Sequence, residues 1–224
     1  MKLWDYQMND KRIKICHVIL DFDSDKNVTP VQLRGFLAHL FANISEFHHH
    51  SDNSYHYPLI QYKRIDKKLA VIGIGEFADI VFEKMSNLDH ITTQDQKIPL
   101  TNLEIQNTTY YPKEITSKYK FASPWIALNK ENYTKYSLLT KKDQKQFLEK
   151  ILVGNILSML KGMEIFVDCT ITVKINSCKS ITTIAHQNKF AGFFCEWDSS
   201  IILPEYCGLG KSISKGFGVV ISLK

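Results

Sequence analysis

The first half of the chain alternates between strand and helix patterns in one particular order. Strand patterns, with alternating apolar and β-branched residues, cover residues 12–23, 59–66, 68–73 and 100–108. Helical spacing of apolar residues follows Thr29 and Pro30 as far as about Ser45, and it returns over residues 75–85. Residues 87–97 look irregular. The order β-α-β-β-α-β is typical of ferredoxin-like folds.

The second half repeats this plan less regularly. Residues 141–161 predict a long amphipathic helix, and residues 129–140 predict a connection without regular structure. Strand patterns cover residues 119–128, 166–175, 180–185, 191–197, 201–203 and 217–223, with no helix evident between the middle strands. We therefore expect an α+β fold with two tandem ferredoxin-like domains, residues 1–112 and 113–224.

The composition is that of a globular protein, with 44% hydrophobic and 23% charged residues and a net charge of +5. This charge allows a polyanionic partner without requiring one. No apolar stretch approaches the ~20 residues of a membrane span, and the N-terminus does not resemble a signal peptide. The five cysteines are odd in number and lack CxxC spacing, which favours reduced thiols in the cytoplasm.

Four of the ten glycines lie in one short segment near the C-terminus. Gly208, Gly210, Gly216 and Gly218 flank two lysines, Lys211 and Lys215. Glycines allow positive φ and close backbone approach, so such a loop can direct several N–H groups at one anion. A glycine-rich hairpin without a ligand explains the composition equally well. A P-loop is excluded because position 205 is Glu205, and a dinucleotide fingerprint because position 213 is Ile213.

Four of the eight histidines lie between His48 and His56. Histidine titrates near neutral pH, so two nearby imidazoles can act as acid and base in the attack of a ribose 2′-hydroxyl on its own phosphate. If the segment is extended, we expect His48 and His50 to point to the same side and His49 to the other. A transition-metal site is a second interpretation. Taken in isolation, the segment is best explained as a solvated polar loop.

Together the two clusters resemble one family. The GLGKSISKGFG stretch at 208–218, the histidines at 48–50 followed by YPLIQYK at 57–63, and SPWIALN at 123–129 are similar to the CRISPR-associated endoribonucleases that cut precursor CRISPR RNA within its repeats. These stretches span both halves of the chain. The resemblance implies tandem ferredoxin-like domains and metal-independent cleavage that leaves 2′,3′-cyclic phosphate and 5′-hydroxyl ends.

The resemblance also implies roles for particular residues. It maps the catalytic histidines to His48 and His50 and a supporting tyrosine to Tyr57. It places the glycine segment, with Gly208, Gly210, Lys211, Lys215, Gly216 and Gly218, against RNA or at the domain interface. One departure concerns the first helix, where a helper lysine is expected but Arg34 is the only cation between Pro30 and Ser45. Lys63 or Lys211 is then expected to stabilise the pentavalent phosphorane.

The leading hypothesis is a metal-independent endoribonuclease without a cofactor that acts on CRISPR repeat RNA. We expect His50 to be the general base and His48 the acid, with the reverse assignment open. The alternative is a non-catalytic repeat RNA-binding protein, or a structural subunit of a ribonucleoprotein complex. Other CRISPR-associated subunits and a second copy of the chain are compatible partners. A membrane is not an expected partner, and the expected location is the cytoplasm.

Overall fold

The computed structural model describes residues 11–23, 28–44, 47, 56–93, 96–185 and 187–223. These residues form two compact units. The N-terminal unit comprises Arg12–Tyr110 together with the short segment Ile213–Gly216. The C-terminal unit comprises Lys11, Tyr111–Ser212 and residues 217–223. The chain changes unit after Tyr110 and returns briefly to the N-terminal unit within the glycine-rich segment.

The N-terminal unit is a four-stranded antiparallel sheet with two helices. Its elements are β1 (Ile13–Asp21), α1 (Pro30–Leu40), β2 (Ile60–Ile65), β3 (Lys68–Ile74), α2 (Phe77–Met85), β4 (His90–Thr92), β5 (Lys97–Pro99) and β6 (Asn102–Tyr110). The sheet has the order β2-β3-β1-β6. The first strand thus lies between the third and the last, which is the ferredoxin-like arrangement.

Helix α1 begins where the sequence predicted it. The Thr29 hydroxyl accepts a hydrogen bond from the Gln32 N–H (3.2 Å), and the Gln32 side chain accepts one from the Thr29 N–H (2.9 Å), so the two residues form a capping box. Pro30 occupies the first helical position. The helix ends at Leu40, earlier than Ser45. Its apolar side, with Leu33 and Leu37, packs in the core.

The core of this unit is mainly aliphatic. Alternate residues of β1 (Cys16, Val18 and Leu20) lie in it with Leu69 and Val71 of β3, as the two-residue period of a strand requires. The sequence missed one small feature. Strands β4 and β5 pair as a short hairpin in and beside the stretch predicted to be irregular. Each of these strands has only three residues, too few to produce a recognisable alternation.

The C-terminal unit has the same strand order. Its elements are β7 (Ser117–Phe121), α3 (Lys130–Ser137), α4 (Lys141–Gly162), β8 (Val173–Ala185), β9 (Asn188–Ser199) and β10 (Val220–Ser222). The sheet order is β10-β7-β9-β8, so its first strand again lies between the third and the last. The predicted fold class, two tandem ferredoxin-like domains, is confirmed.

The core of the C-terminal unit contains an aromatic cluster beside its aliphatic residues. Trp125 stacks on Phe121 with ring centroids 5.1 Å apart, and Phe121 also contacts Trp197 at 4.4 Å. Phe193 completes the cluster, 6.0 Å from Trp125. The indole N–H of Trp125 donates to the side chain of Asn155 on α4 (2.9 Å), so this helix is tied to the cluster by a hydrogen bond as well as by packing.

Several sequence expectations for this unit were wrong. Residues 130–137 form helix α3, which buries no side chain fully and therefore lacks the apolar stripe on which helix prediction depends. Several separate strands were expected within residues 166–203, but β8 and β9 form one long hairpin there, and residues 166–172 and 201–203 are not strands. Residues 176–180 interrupt the apolar pattern of β8, and the pairing continues past them after a register shift between Ile175 and Ser177.

The expectation that all cysteines are reduced was also wrong. Cys178 and Cys195 face each other in the β8–β9 register and are joined by a disulfide bond. The sequence could not show this pairing because it depends on strand register and not on spacing along the chain. Across the part of the chain that the structure describes, we find no helix with the length and apolar character needed to cross a membrane.

Candidate functional site

The two predicted catalytic histidines, His48 and His50, lie outside the described residues. The structure describes Phe47 before them and Tyr57 after them. Phe47 is fully buried and packs on Phe41, with ring centroids 4.9 Å apart. Tyr57 is 6% exposed. The histidine-bearing segment is therefore bounded on both sides by aromatic residues buried in the N-terminal unit.

The chain enters β2 directly after this segment. Pro58 follows buried Tyr57, and the side-chain amide of Gln61 donates to the Pro58 carbonyl over 2.8 Å. Gln61 is itself fully buried, so the hydrogen bond is shielded from water. This bond fixes the path of the chain between Tyr57 and the strand. The predicted supporting tyrosine is thus held three residues before a strand.

Strand β2 lies at the edge of the sheet and carries Tyr62 and Lys63 on opposite faces. Tyr62 belongs to the core, where burial raises the pKa of its phenol well above the usual range while the Arg34 cation acts in the opposite sense. Among the described residues its hydroxyl has no hydrogen-bond partner. Lys63 is fully buried. Burial argues against direct contact between Lys63 and an RNA backbone.

Part of the glycine-rich segment packs against this edge. The one-turn 3-10 helix Ile213–Lys215 contacts β2 and α1. Gly216 follows with φ of +94°, and a Cβ at this position would lie 3.1 Å from the Pro30 ring. Glycine is required here by both the backbone conformation and the close approach of Pro30.

Lys215 and Arg34 bring two positive charges together in the N-terminal unit. Lys215 is half-buried, and the pKa of its ammonium is lowered, first by burial and then by the nearby Arg34 guanidinium. Two like charges in a partly desolvated place repel each other, and an anion bound between or beside them relieves that repulsion. The N-terminal unit therefore has two cations near one another at this place.

The remaining glycines belong to the C-terminal unit and pack against its own backbone. Gly210 has φ of +93°, and a Cβ there would lie 2.7 Å from the Trp125 ring. Gly218 has φ of +62°, and a Cβ there would lie 1.9 Å from the Leu209 carbonyl oxygen. Gly208 pairs with Val219 as an isolated β-bridge. The positive φ and the close contacts at Gly210 and Gly218 mean that these two glycines are needed for the shape of the segment.

Several N–H groups of the segment are used within the chain. The Leu209 N–H donates to the Gly218 carbonyl (2.9 Å), that of Lys211 to Ile126 (3.0 Å) and that of Gly218 to Pro124 (3.0 Å). Three N–H groups that an anion-binding loop would present are thus already bonded. Positive charge at this segment comes instead from its side chains, and Lys211 is exposed.

Sequence reasoning missed the closeness of Arg34 to Lys215. Arg34 follows Pro30 by four residues on α1, which puts the two on the same side of the helix. That spacing was available from the sequence. The approach of the glycine segment to this side of α1 was not, because it joins residues far apart along the chain.

Comparison with known proteins identifies the family. The model of the Cas6b N-terminal domain matches residues 11–111, and the model of the Cas6b C-terminal domain matches residues 111–223. A protein of Methanocaldococcus jannaschii, described as uncharacterized, is 44% identical over 107 residues, which are 48% of this chain and 73% of that protein.

Solved structures agree with these matches. A crystal structure of Cas6b is 29% identical with a TM-score of 0.84, over 95% of this chain and 100% of that one. A crystal structure of the CRISPR RNA processing endoribonuclease Cas6b is 26% identical with a TM-score of 0.75, over the same shares of the two chains. Since the two domain models together account for residues 11–223, the chain belongs to the Cas6b family of CRISPR RNA-processing proteins.

Proposed function

We propose that this chain is an endoribonuclease that cuts precursor CRISPR RNA within its repeats, without a metal ion. The observation that carries the proposal is the match of both Cas6b domain models along the chain. A similar solved structure is described as a CRISPR RNA processing endoribonuclease, and it is covered over its whole length. The segment with the two histidines supports the proposal, because it offers an acid and a base near neutral pH.

The proposed reaction uses the RNA as its own nucleophile. His50 takes the proton of the 2′-hydroxyl, and the 2′-oxygen attacks the adjacent phosphorus. The bond from phosphorus to the 5′-oxygen breaks, and His48 donates a proton to that oxygen. The products are a 2′,3′-cyclic phosphate and a 5′-hydroxyl, and no atom has to come from a metal-bound water. The two histidines are interchangeable in this scheme.

Tyr57 is proposed to orient one imidazole or the scissile phosphate. It is buried beside the histidine-bearing segment, and the chain on its C-terminal side is fixed by the bond between Gln61 and Pro58. A side chain held in this way loses little rotamer freedom when the substrate binds, which is the advantage of a preorganised group.

The RNA backbone is proposed to contact the lysines of the glycine-rich segment. Lys211 is exposed, and Lys215 lies beside Arg34, so both offer charge to a phosphate. We propose that these cations stabilise the phosphorane. Lys63 is a weaker candidate for this role because it is fully buried. Gly210, Gly216 and Gly218 give the segment the shape that presents the lysines, and Gly208 pairs with Val219 within it.

The test compares the single variants His48→Ala and His50→Ala with wild type on labelled repeat RNA in EDTA. Loss of one member of an acid–base pair lowers the cleavage rate by about 10²- to 10⁴-fold. His39→Ala is the matched control, since His39 is exposed in the last turn of α1. Repeat RNA with a 2′-deoxy sugar at the cut site measures binding separately, and we expect that binding to be retained.

Three outcomes contradict parts of the proposal. Unchanged cleavage in both histidine variants removes these residues from the mechanism. Cleavage by wild type only with an added divalent ion removes the metal-free scheme. Binding without any cleavage leaves the alternative, a repeat RNA-binding protein that performs no chemistry.

A further inference from the structure

The C-terminal unit contains a cleft that the proposed reaction does not use. It has a volume of about 760 Å³ and lies between α3 and the β8–β9 hairpin. Cavities of ~300–1,000 Å³ are the usual size of sites for small organic groups, such as a nucleobase with its sugar. Every residue that lines it belongs to this one unit.

Aromatic side chains form the walls of the cleft. Tyr133 and Tyr136 come from α3, and Phe190 and Phe193 come from β9. Tyr133 is 50% exposed, so a face of its ring is open to solvent. Tyr136 meets Phe193 edge-on, with ring centroids 5.7 Å apart and an interplanar angle of 74°. An exposed ring beside other aromatic side chains offers a surface on which an unpaired base can stack.

The floor of the cleft is held rigidly. Phe193 and Trp125 exchange two backbone hydrogen bonds, both 2.9 Å long, and Phe193 is 1% exposed. Ser180 and Thr182 lie opposite Phe193 and Ala191 in the strand register, so their hydroxyls share this face. The cleft thus offers hydrogen-bonding groups beside a fixed apolar surface, as sites for bases require.

The charge of the cleft is positive. Lys130 and Lys189 line it, and none of the described residues that line it is acidic. Glu131, on the same helix, is paired with Lys135 at 2.7 Å, and this pairing lowers the pKa of the Glu131 carboxyl. The two lining lysines are therefore placed to attract a polyanion.

A second, smaller cavity extends the cleft. It has a volume of about 220 Å³, shares Tyr136, Ser180 and Phe193 with the cleft, and adds Lys141 and Lys145. Its described lining also lacks acidic residues. Lysines therefore occur along both cavities, with aromatic rings between them, which is the pattern of grooves that follow a single-stranded nucleic acid backbone.

We propose that this cleft binds unpaired nucleotides of the RNA by stacking at least one base on Tyr133, with the lysines contacting the flanking phosphates. The inference rests on the proposed function for the identity of the RNA. Hydroxyls and aromatic faces favour an unpaired strand, because the bases of a duplex are stacked on one another and their faces are not available.

The test measures binding of uncleavable repeat RNA and of single-stranded oligouridine to the full chain. We expect Tyr133→Ala to weaken binding about 10-fold, and Tyr133→Phe, which keeps the ring, to bind as wild type does. Lys189→Ala should reduce the salt dependence of binding by about one phosphate contact.

Matched controls come from the same unit. Phe166 is 72% exposed and Lys150 is an exposed residue of α4, and neither lines either cavity. The double variant Phe166→Ala/Lys150→Ala should bind as wild type does, whereas Tyr133→Ala/Lys189→Ala should not. Equal binding by wild type and Tyr133→Ala/Lys189→Ala overturns the proposal, as does equal weakening by the two double variants. Weak binding by Tyr133→Phe overturns stacking as its basis.

The readouts separate failure of the cleft from failure of the proposed function. If wild type cuts repeat RNA but the cleft variants bind it normally, the cleft proposal is wrong and the endoribonuclease proposal is supported. If wild type binds RNA without cutting it and the variants show the expected losses of binding, the cleft proposal is supported and the endoribonuclease proposal is wrong. Absence of any RNA binding by wild type overturns both.

Discussion

The N-terminal and C-terminal units share one strand order and differ in the connection before their last strand. In the N-terminal unit, helix α2 lies between β3 and the β4–β5 hairpin that precedes β6. Between β9 and β10 of the C-terminal unit, the described residues contain only the one-turn helix Ile213–Lys215 of the glycine-rich segment, which belongs to the N-terminal unit. The strand order is therefore the same in the two units, and the connection before the last strand is the part that differs.

The two units also differ in how their cores are built. The N-terminal core is dominated by aliphatic side chains such as Val18, Leu37 and Val71. The C-terminal core has aliphatic residues too, but it also buries an aromatic cluster in which Trp125 contacts Phe121 and Phe193. Each of these rings buries more area than an aliphatic side chain, so we expect stability to depend strongly on them and their truncation to cost more.

The largest expected effect on stability tests this difference directly. Trp125→Ala should lower the free energy of unfolding by about 3–5 kcal/mol, because it leaves a cavity and removes the hydrogen bond to Asn155. Leu37→Ala, in the aliphatic core, should cost about 2–5 kcal/mol. Urea unfolding followed by circular dichroism measures both. A smaller loss for Trp125→Ala than for Leu37→Ala would contradict the proposed dependence on large rings.

The next effect concerns the glycine-rich connection. Gly218→Ala should cost about 2–4 kcal/mol, since φ is +62° and the new Cβ would overlap the Leu209 carbonyl. Gly154→Ala in α4 is the control, because a Cβ there meets nothing within 4 Å and alanine stabilises a helix by up to about 1 kcal/mol. Thermal unfolding of the two variants should shift in opposite directions. Equal shifts would show that the conformation at Gly218 is not strained for alanine.

A smaller effect tests whether corresponding helices are stabilised in the same way. Thr29 caps α1 and Thr140 caps α4, the helices that lead to the second strand of each sheet. Each threonine accepts a hydrogen bond from the first turn, so replacement by alanine should cost about 1 kcal/mol in either unit. Denaturant titration of both variants measures this. Costs that differ by more than about 1 kcal/mol would mean that packing outweighs the cap in one unit.

The smallest effect is expected for Lys215→Gln, which removes one of the two neighbouring positive charges. RNA binding should weaken modestly, and its salt dependence should fall by about one phosphate contact. Lys130→Gln should lower the salt dependence by a similar amount if the cleft is also occupied. Binding titrations at several salt concentrations measure how the affinity of each variant depends on salt. If this dependence is the same for Lys215→Gln as for wild type, Lys215 does not contact a phosphate.

Comparison of wild type with Lys215→Gln also gives a prediction of how folding stability depends on pH. The pKa of Lys215 is lowered in the folded chain, so folding disfavours its charged form. This cost is fully present below the folded pKa and disappears as the pH rises through that value toward 10.5. Stability of wild type should therefore rise relative to Lys215→Gln over that window. A parallel pH profile for the two proteins would show that Lys215 is not perturbed.

Strands and capped helices of the N-terminal unit could be predicted because local patterns specify them. Thr29 and Pro30 mark the start of α1, and the alternation in β1 agrees with its buried face. Helix α3 could not be predicted, since none of its residues is fully buried, and the Cys178–Cys195 disulfide depends on register. Sequence patterns report burial and local conformation, and they fail where neither is distinctive.

Less of the candidate site could be predicted than of the fold. The sequence pointed to the glycine segment and to its lysines, but the closeness of Lys215 to Arg34 needs a long-range contact. The cleft was missed for a similar reason. Tyr133 and Phe190 lie on different elements, one of them a helix that the sequence did not predict. The assignments of His48 and His50 remain predictions from the sequence.

The segment Ile213–Gly216 has a consequence for how the chain is made. It completes the N-terminal unit, although residues 111–212 of the C-terminal unit are translated before it. A nascent chain that has finished β6 therefore still lacks a piece of its first unit until most of the second has left the ribosome. A fragment that stops after Tyr110 would be missing the same piece, so producing this unit alone requires those four residues to be added back.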